Sequence, residues 1–216
     1  MRIVSVLHEG PDYRAEHAQY LHAQLGDFDS VCLSTVETIE GVNTLPLPNN
    51  GIPSWWSKME LFNPHGPLGS EDLFYVDLDT RIVDDIHPLL DIVRGTRKLV
   101  MLSDFYHPQY AASGVMFIPA RCKARVWNTW LKNDAWFMVR RHKVGRVGDQ
   151  GVISECIPDA ERWDALAPGA IISYKKHVVG PTDGHWVAGR SVGNGEIPEG
   201  ARIVCYHGKP RPWECK

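Results

Sequence analysis

The apolar residues of this chain come in short unbroken runs, and that pattern narrows the fold most. Apart from Ser5, residues 3–7, 31–33, Leu73–Val76, 99–102, 115–118, 171–172 and Ile203–Cys205 are apolar along their length instead of alternating with polar ones. A strand with one wet face alternates, whereas a strand covered on both faces does not. Between the runs lie segments with helical spacing. Ala18, Leu21 and Leu25 fall on one face, with Asp12 as a candidate cap and Gly26 as a stop. Residues 86–93 carry Pro88 in a first turn, and Ala124, Trp127 and Leu131 define a helix over 121–132. Short helices are expected from Ser54 through residues 55–62 and at Asp149–Cys156, and a loop at 45–53, where Pro46, Pro48, Asn49, Asn50, Gly51 and Pro53 cluster. Strands alternating with helices predict an α/β fold, a mainly parallel mixed sheet flanked by helices. The 216 residues form one domain in this reading, 1–216, with no repeat or linker.

Composition removes several function classes. The formal net charge is -3, and the longest basic tract is Arg140-Arg141-His142-Lys143, so a nucleic-acid partner is not expected. There is no apolar run of membrane-spanning length, and no stable membrane insertion is expected. The run at 3–7 is too short for a signal-peptide core. The five cysteines are scattered without a Cys-x-x-Cys pair, which fits reduced thiols in a cytoplasmic protein.

The chemistry concentrates at Asp77-Leu78-Asp79, directly after the run Leu73–Val76. In extended chain, residues i and i+2 point the same way, so both carboxylates leave the sheet together. Ligands of open α/β sheets sit outside the carboxyl ends of the strands. Two carboxylates in a cleft repel, and a hard divalent cation, Mg2+ or Mn2+, relieves that repulsion. His207 follows the late strand Ile203–Cys205 and is a candidate imidazole ligand. Lys209 and Arg211 are cations suited to a diphosphate. Asp84-Asp85 fit a solvated helix start.

Five segments, taken in order, resemble one family: Trp56-Ser57-Lys58-Met59-Glu60-Leu61-Phe62, Phe74-Tyr75-Val76-Asp77-Leu78-Asp79-Thr80, Ala112-Ser113-Gly114-Val115-Met116, Gly148-Asp149-Gln150, and Tyr206-His207-Gly208-Lys209-Pro210-Arg211-Pro212-Trp213. They are similar to the A-type-fold glycosyltransferases, especially the glycogenin-like and bacterial lipopolysaccharide galactosyltransferase group. The resemblance implies the nucleotide-diphospho-sugar transferase fold and transfer of a hexose from a nucleoside-diphosphate sugar, with UDP as the nucleotide and the anomeric configuration retained. It implies Mn2+ (or Mg2+) bound by Asp79 and His207, with Asp77 on the metal, the donor ribose, or both. It places Asp149, Gln150 and Asp104 near the transferred sugar, Lys58 near the donor, and the backbone at Ser113 and Gly114 against the sugar. Gly208, Lys209 and Arg211 would meet the diphosphate. The segment after His207 is shorter than in relatives, so the phosphate role falls to either Lys209 or Arg211. Ala112 stands where relatives often have Asn. The acceptor, whether a carbohydrate, a lipid-linked group or a protein, is not identified.

Two other functions share these features. A sugar nucleotidyltransferase needs a glycine-rich phosphate loop after the first strand, which His8-Glu9-Gly10-Pro11 supplies poorly. A non-catalytic nucleotide-sugar or glycan-binding module would bind without turnover. Trp55, Trp56, Trp136, Trp163 and Trp186 are candidate sugar platforms, and the glycine-rich stretch 180–200 is a candidate lid.

Overall fold

A computed structural model of the chain describes residues 1–48, 51, 54–139, 148–181 and 190–215, without the side chains of 54, 133–137 and 139. In chain order it contains β1 (Arg2–Leu7), α1 (Ala15–Ala23), β2 (Ser30–Ser34), β3 (Thr44–Pro46), a 3-10 segment (Ser54–Phe62), β4 (Leu73–Val76), β5 (Thr80–Ile82) and α2 (His87–Val93). There follow β6 (Val100–Ser103), β7 (Ala111–Ile118), α3 (Ala120–Val139), α4 (Asp149–Cys156), β8 (Glu161–Arg162), α5 (Trp163–Leu166), β9 (Ile171–Ser173), a π-turn (Tyr174–Val178), β10 (Ile203–Cys205) and a final 3-10 turn (Pro212–Glu214).

Among the described residues, seven strands form one sheet in the order β3-β2-β1-β4-β7-β6-β8. The pairs β3–β2, β2–β1, β1–β4 and β6–β8 are parallel, while β7 runs antiparallel to β4 and β6. A smaller sheet, β5-β10-β9, stands beside it. Both faces of the large sheet are covered, which is why its strands carry no polar alternation. On one face Val4, Tyr75 and Met116 pack with Trp56, Phe62 and Trp130 from the 3-10 segment and α3. On the other, Ile3, Phe74 and Phe117 pack with Leu21 of α1, Leu89 of α2 and Trp163 of α5. Trp56 and Trp130 stack at 5.0 Å between centroids.

The expected α/β architecture is present, with differences at the edges. The proline-rich stretch expected as loop contributes the edge strand β3, where Pro46 sits at an edge position that tolerates a missing donor. The strand expected over 115–118 begins four residues earlier, at Ala111, where Ala111 and Ala112 pair with Ser103 and Leu102 of β6. The helix expected over 121–132 runs to Val139. Arg14, not Asp12, precedes the first turn of α1, and its N–H donates to His17 Nδ1 at 3.0 Å. β5 and β8 are too short to show a period.

His22 is buried where α1 meets β1 and β2, with its ring nitrogens 2.9 Å from Ser5 Oγ and 3.0 Å from Ser30 Oγ. Burial pushes its pKa down to about 4. Below the ordinary histidine pKa the unfolded chain takes up a proton that folded His22 refuses. Stability is therefore expected to fall as pH drops from about 6.5 towards 4, by up to about 3 kcal/mol. His22→Gln should flatten that part of a urea-denaturation pH profile, and an unchanged profile would refute this role. Trp130→Ala should cost about 3–5 kcal/mol in the same assay. Trp55→Ala, at a side chain 62% exposed, should cost less than about 0.5 kcal/mol.

Candidate active site

The 3-10 segment Ser54–Phe62 sets the floor of the site. Its period is three residues per turn, so Trp56, Met59 and Phe62 share a face, and all are buried in the core. Trp55 and Lys58, also three apart, turn to the carboxyl ends of β1 and β4. There Lys58 Nζ lies 3.0 Å from Asp77 Oδ1, 3.3 Å from Asp149 Oδ2 and 3.2 Å from Ser113 Oγ. Ser113 Oγ donates to Asp149 Oδ2 at 2.5 Å. Burial opposes the ammonium charge, but the Asp149 and Asp77 carboxylates outweigh it and hold the Lys58 pKa above its ordinary value. Asp77 is pushed up to about 6 by burial, against the pull of Lys58 and with a further push from Asp79.

Asp77 stays at the sheet edge because its N–H donates to Gly114 O at 2.9 Å. Its Oδ1 also accepts from the Tyr75 hydroxyl, two residues back on the same face. A Cβ on Gly114 would lie 3.4 Å from Asp77 Oδ2, at the near limit of van der Waals contact.

Asp79 belongs to a second cluster. β5 pairs antiparallel with β10, matching Thr80 to Cys205, so the chain leaving β10 passes Asp79. Tyr206 N–H donates to Asp79 O at 3.0 Å and Gly208 N–H to Asp79 Oδ2 at 3.0 Å. The reversal uses positive φ at His207 (35°) and Gly208 (104°). Arg211 Nη1 donates to Asp79 Oδ2 and to the Tyr13 hydroxyl, with its guanidinium 4.6 Å from the Tyr13 ring centroid. Trp213 holds this segment to α1 by stacking on His17 at 3.8 Å. His207 Nε2 lies 2.6 Å from Ser173 Oγ, its ring stacks on Phe105, and Lys175 Nζ donates to its carbonyl at 3.0 Å. Although His207 is exposed overall, desolvation of its ring among its neighbours and the Lys175 charge lower its pKa, which favours neutral imidazole.

Two adjoining clefts open on these groups, of about 370 and 320 Å³. Trp55, Lys58, Asp77, Asp79 and His207 line both. The larger adds Asp104, Phe105, Ser113, Gly114, Asp149 and Gln150. The smaller adds His8, Asp12, Tyr13, Gly208 and Arg211.

The sequence candidates thus converge on one place, with one exception. Lys209 is exposed and lines neither cleft, whereas Arg211 faces the carboxylates. Asp104 shapes its own loop, accepting from Tyr106 N–H at 2.8 Å and His107 N–H at 2.9 Å. Trp55 borders both clefts, while Trp56 and Trp163 are buried in the core. Trp186, residues 182–189 of the candidate lid, and the Trp136 side chain lie outside the described residues. Of the lid glycines, Gly180 and Gly193 meet backbone: a Cβ there would come within 2.9 Å and 2.5 Å of neighbouring main-chain atoms. Sequence reasoning missed Tyr13, Ser173, Phe105 and the role of Tyr75. For Tyr75 the signal was present, an aromatic hydroxyl two residues before Asp77.

The donor chemistry fits a divalent cation: two carboxylates, each with one oxygen outside the contacts above, and an imidazole biased towards neutrality. Among the described residues no three such groups are gathered closely enough to hold one; Arg211 sits on Asp79 and Ser173 on His207.

The fold has solved counterparts. A galactosyltransferase LgtC, in complex with donor and acceptor sugar analogs, superposes with a TM-score of 0.59 at 18% identity, covering 99% of this chain and 89% of that one. This chain has the A-type glycosyltransferase fold. The apo bifunctional glycosyltransferase WbbM gives 0.59 at 11% identity, over 98% of this chain and 46% of that one. The apo glycosyltransferase GlyE of Streptococcus pneumoniae TIGR4 gives 0.59 at 14%, over 98% and 56%. The sequence matches no family model and no curated protein. Among the described residues, no helix is long and apolar enough to cross a membrane.

Lys58→Met should leave Asp77 and Asp149 facing each other without their cation, at a cost of about 3–5 kcal/mol in denaturant unfolding. Adding Asp149→Asn should recover part of that loss. A double variant no more stable than the single one would show that the three groups do not act as a unit.

Proposed function

We propose that this chain is a metal-dependent glycosyltransferase that moves a hexose from a nucleoside-diphosphate sugar, UDP-linked, to an acceptor hydroxyl with retained configuration. The observation that carries the reading is the placement of Asp77, Asp79 and His207 on the shared border of two clefts, at the carboxyl end of β4. The fold alone does not fix a substrate. What favours a transferase over a plain α/β domain is a site with one cleft on each side of the acidic pair, one cleft for each half of a nucleotide sugar.

In this reading the smaller cleft takes the nucleotide. Its border carries Arg211 and the Gly208 N–H, both donors suited to phosphate oxygens. The larger cleft takes the sugar, with Asp149, Gln150 and Asp104 as hydroxyl partners and Gly114 allowing close approach. Lys58 and Ser113 fix the Asp149 carboxylate, so its orientation is set before the donor arrives. Asp77, Asp79 and His207 would hold Mn2+ or Mg2+, which when bound would supply Lewis-acid stabilisation of the departing diphosphate. Arg211 adds a fixed positive charge on the same leaving group. The bond from the anomeric carbon to the diphosphate oxygen breaks and one to the acceptor oxygen forms, with the acceptor proton released. Five free thiols agree with work in a reducing cytoplasm. The nucleotidyltransferase alternative is disfavoured at the loop after β1, where the Gly10 N–H donates to Tyr13 O at 2.9 Å.

Calorimetric titration of UDP tests the reading. Binding is expected in Mn2+, with a loss of at least about tenfold in chelator and in Asp79→Ala, a change of about 1.4 kcal/mol or more. UDP-sugars should then be hydrolysed or transferred. Failure of UDP, GDP, CDP and dTDP alike would remove the nucleotide-sugar assignment.

A further inference from the structure

Resting on the metal and diphosphate reading above, we propose that Arg211 is an exchangeable counter-ion for Asp79 that makes divalent-cation binding depend on the nucleotide. The two acidic residues are neutralised differently. Asp77 shares Lys58 with Asp149 and Ser113, so that cation is held by three partners at once. Asp79 is paired with Arg211, which lines the smaller cleft beside Gly208.

Arg211 is built to turn. Its bonds to Asp79 and Tyr13 both run through Nη1, so Nη2 and Nε lie outside those contacts. A guanidinium carries five donors in a planar fork that matches phosphate oxygens in pairs. One carboxylate oxygen uses little of that fork, and a diphosphate in the smaller cleft offers more. The pivot is also supplied: the guanidinium lies against the Tyr13 ring, and Trp213, two residues on, is stacked on His17. Side-chain rotation can therefore move the charge from Asp79 to the phosphate while its segment stays docked on α1.

The consequence is a coupling. Without nucleotide, a divalent cation approaching Asp79 meets a guanidinium already in place and must displace it against like-charge repulsion. With nucleotide, Arg211 leaves for the diphosphate and Asp79 loses its competing cation, keeping only neutral donors such as the Gly208 N–H. Each ligand then tightens the other by the same factor, roughly 5–150-fold for couplings of this kind.

The test is titration of Mn2+ into the full chain, with and without UDP, for wild type and Arg211→Gln. Wild type should bind Mn2+ weakly alone and at least about tenfold more tightly with UDP. Arg211→Gln should bind Mn2+ alone at least about tenfold more tightly than wild type, with a smaller enhancement by UDP. Should Arg211→Gln fail to fold, Arg211→Met keeps an unbranched stem against Tyr13 and carries the same expectation. If the variant binds Mn2+ alone no more tightly than wild type, the exchange is refuted, even where UDP and Mn2+ still bind together and the metal-dependent reading stands. If neither protein binds Mn2+ under any condition, both the exchange and the metal reading fall.

Discussion

The site depends on one buried cation. Lys58 has been taken out of water, which costs several kcal/mol for a charge of this kind, and it is accommodated because Asp77, Asp149 and Ser113 surround it. Replacing such a group by an apolar side chain of similar volume is often neutral or stabilising when its partners are replaced too, so global stability is a weak reason for its presence. Its effect is positional. It ties the 3-10 segment, the end of β4, β7 and the start of α4 together at single atoms, and those elements form the floor and one wall of the larger cleft.

Strand order explains why these elements meet. β4 lies between β1, parallel to it, and β7, antiparallel to it. The start of β7 therefore runs beside the carboxyl end of β4, which delivers Ser113 and Gly114 to Asp77. A sheet parallel throughout would have placed the far end of that strand there. The smaller sheet adds the other half, since antiparallel pairing of β5 with β10 aligns Thr80 with Cys205 and brings the His207–Arg211 turn over Asp79.

Much of this was legible in the sequence, and the boundary has a physical cause. The unbroken apolar runs encode a sheet covered on both faces, so β1, β2, β4 and β10 stood out. Asp77 and Asp79 were legible because they directly follow an apolar strand, but the extended geometry expected to point them together is not kept: β4 ends at Val76 and the chain turns at Leu78 and Asp79. Lys58, Asp149 and Ser113 could be named as candidates from motif order, but not as one ion cluster, because their contact spans 91 positions of chain from Lys58 to Asp149 and is made only by the fold. Tyr13 and Ser173 carry no local pattern; each is placed by pairing or packing of elements remote in sequence. The choice between Lys209 and Arg211 was open for the same reason: both are cations in one short segment, and the backbone reversal at His207 and Gly208 decides which faces Asp79.

The two acidic residues now differ in a way their spacing cannot express. Both follow one strand end two positions apart, yet Asp77 is held by a lysine shared among three partners, and Asp79 by an arginine whose bonds reach one carboxylate oxygen and one tyrosine hydroxyl. A site made only of the first kind would be rigid and permanently neutralised, and it would gain little from a further cation. A site made only of the second would lose its geometry whenever its counter-ion moved. Placing them side by side leaves one carboxylate fixed as a reference point and the other able to change partner, which is what a centre must do if it is to hold a diphosphate through a reaction and then release it.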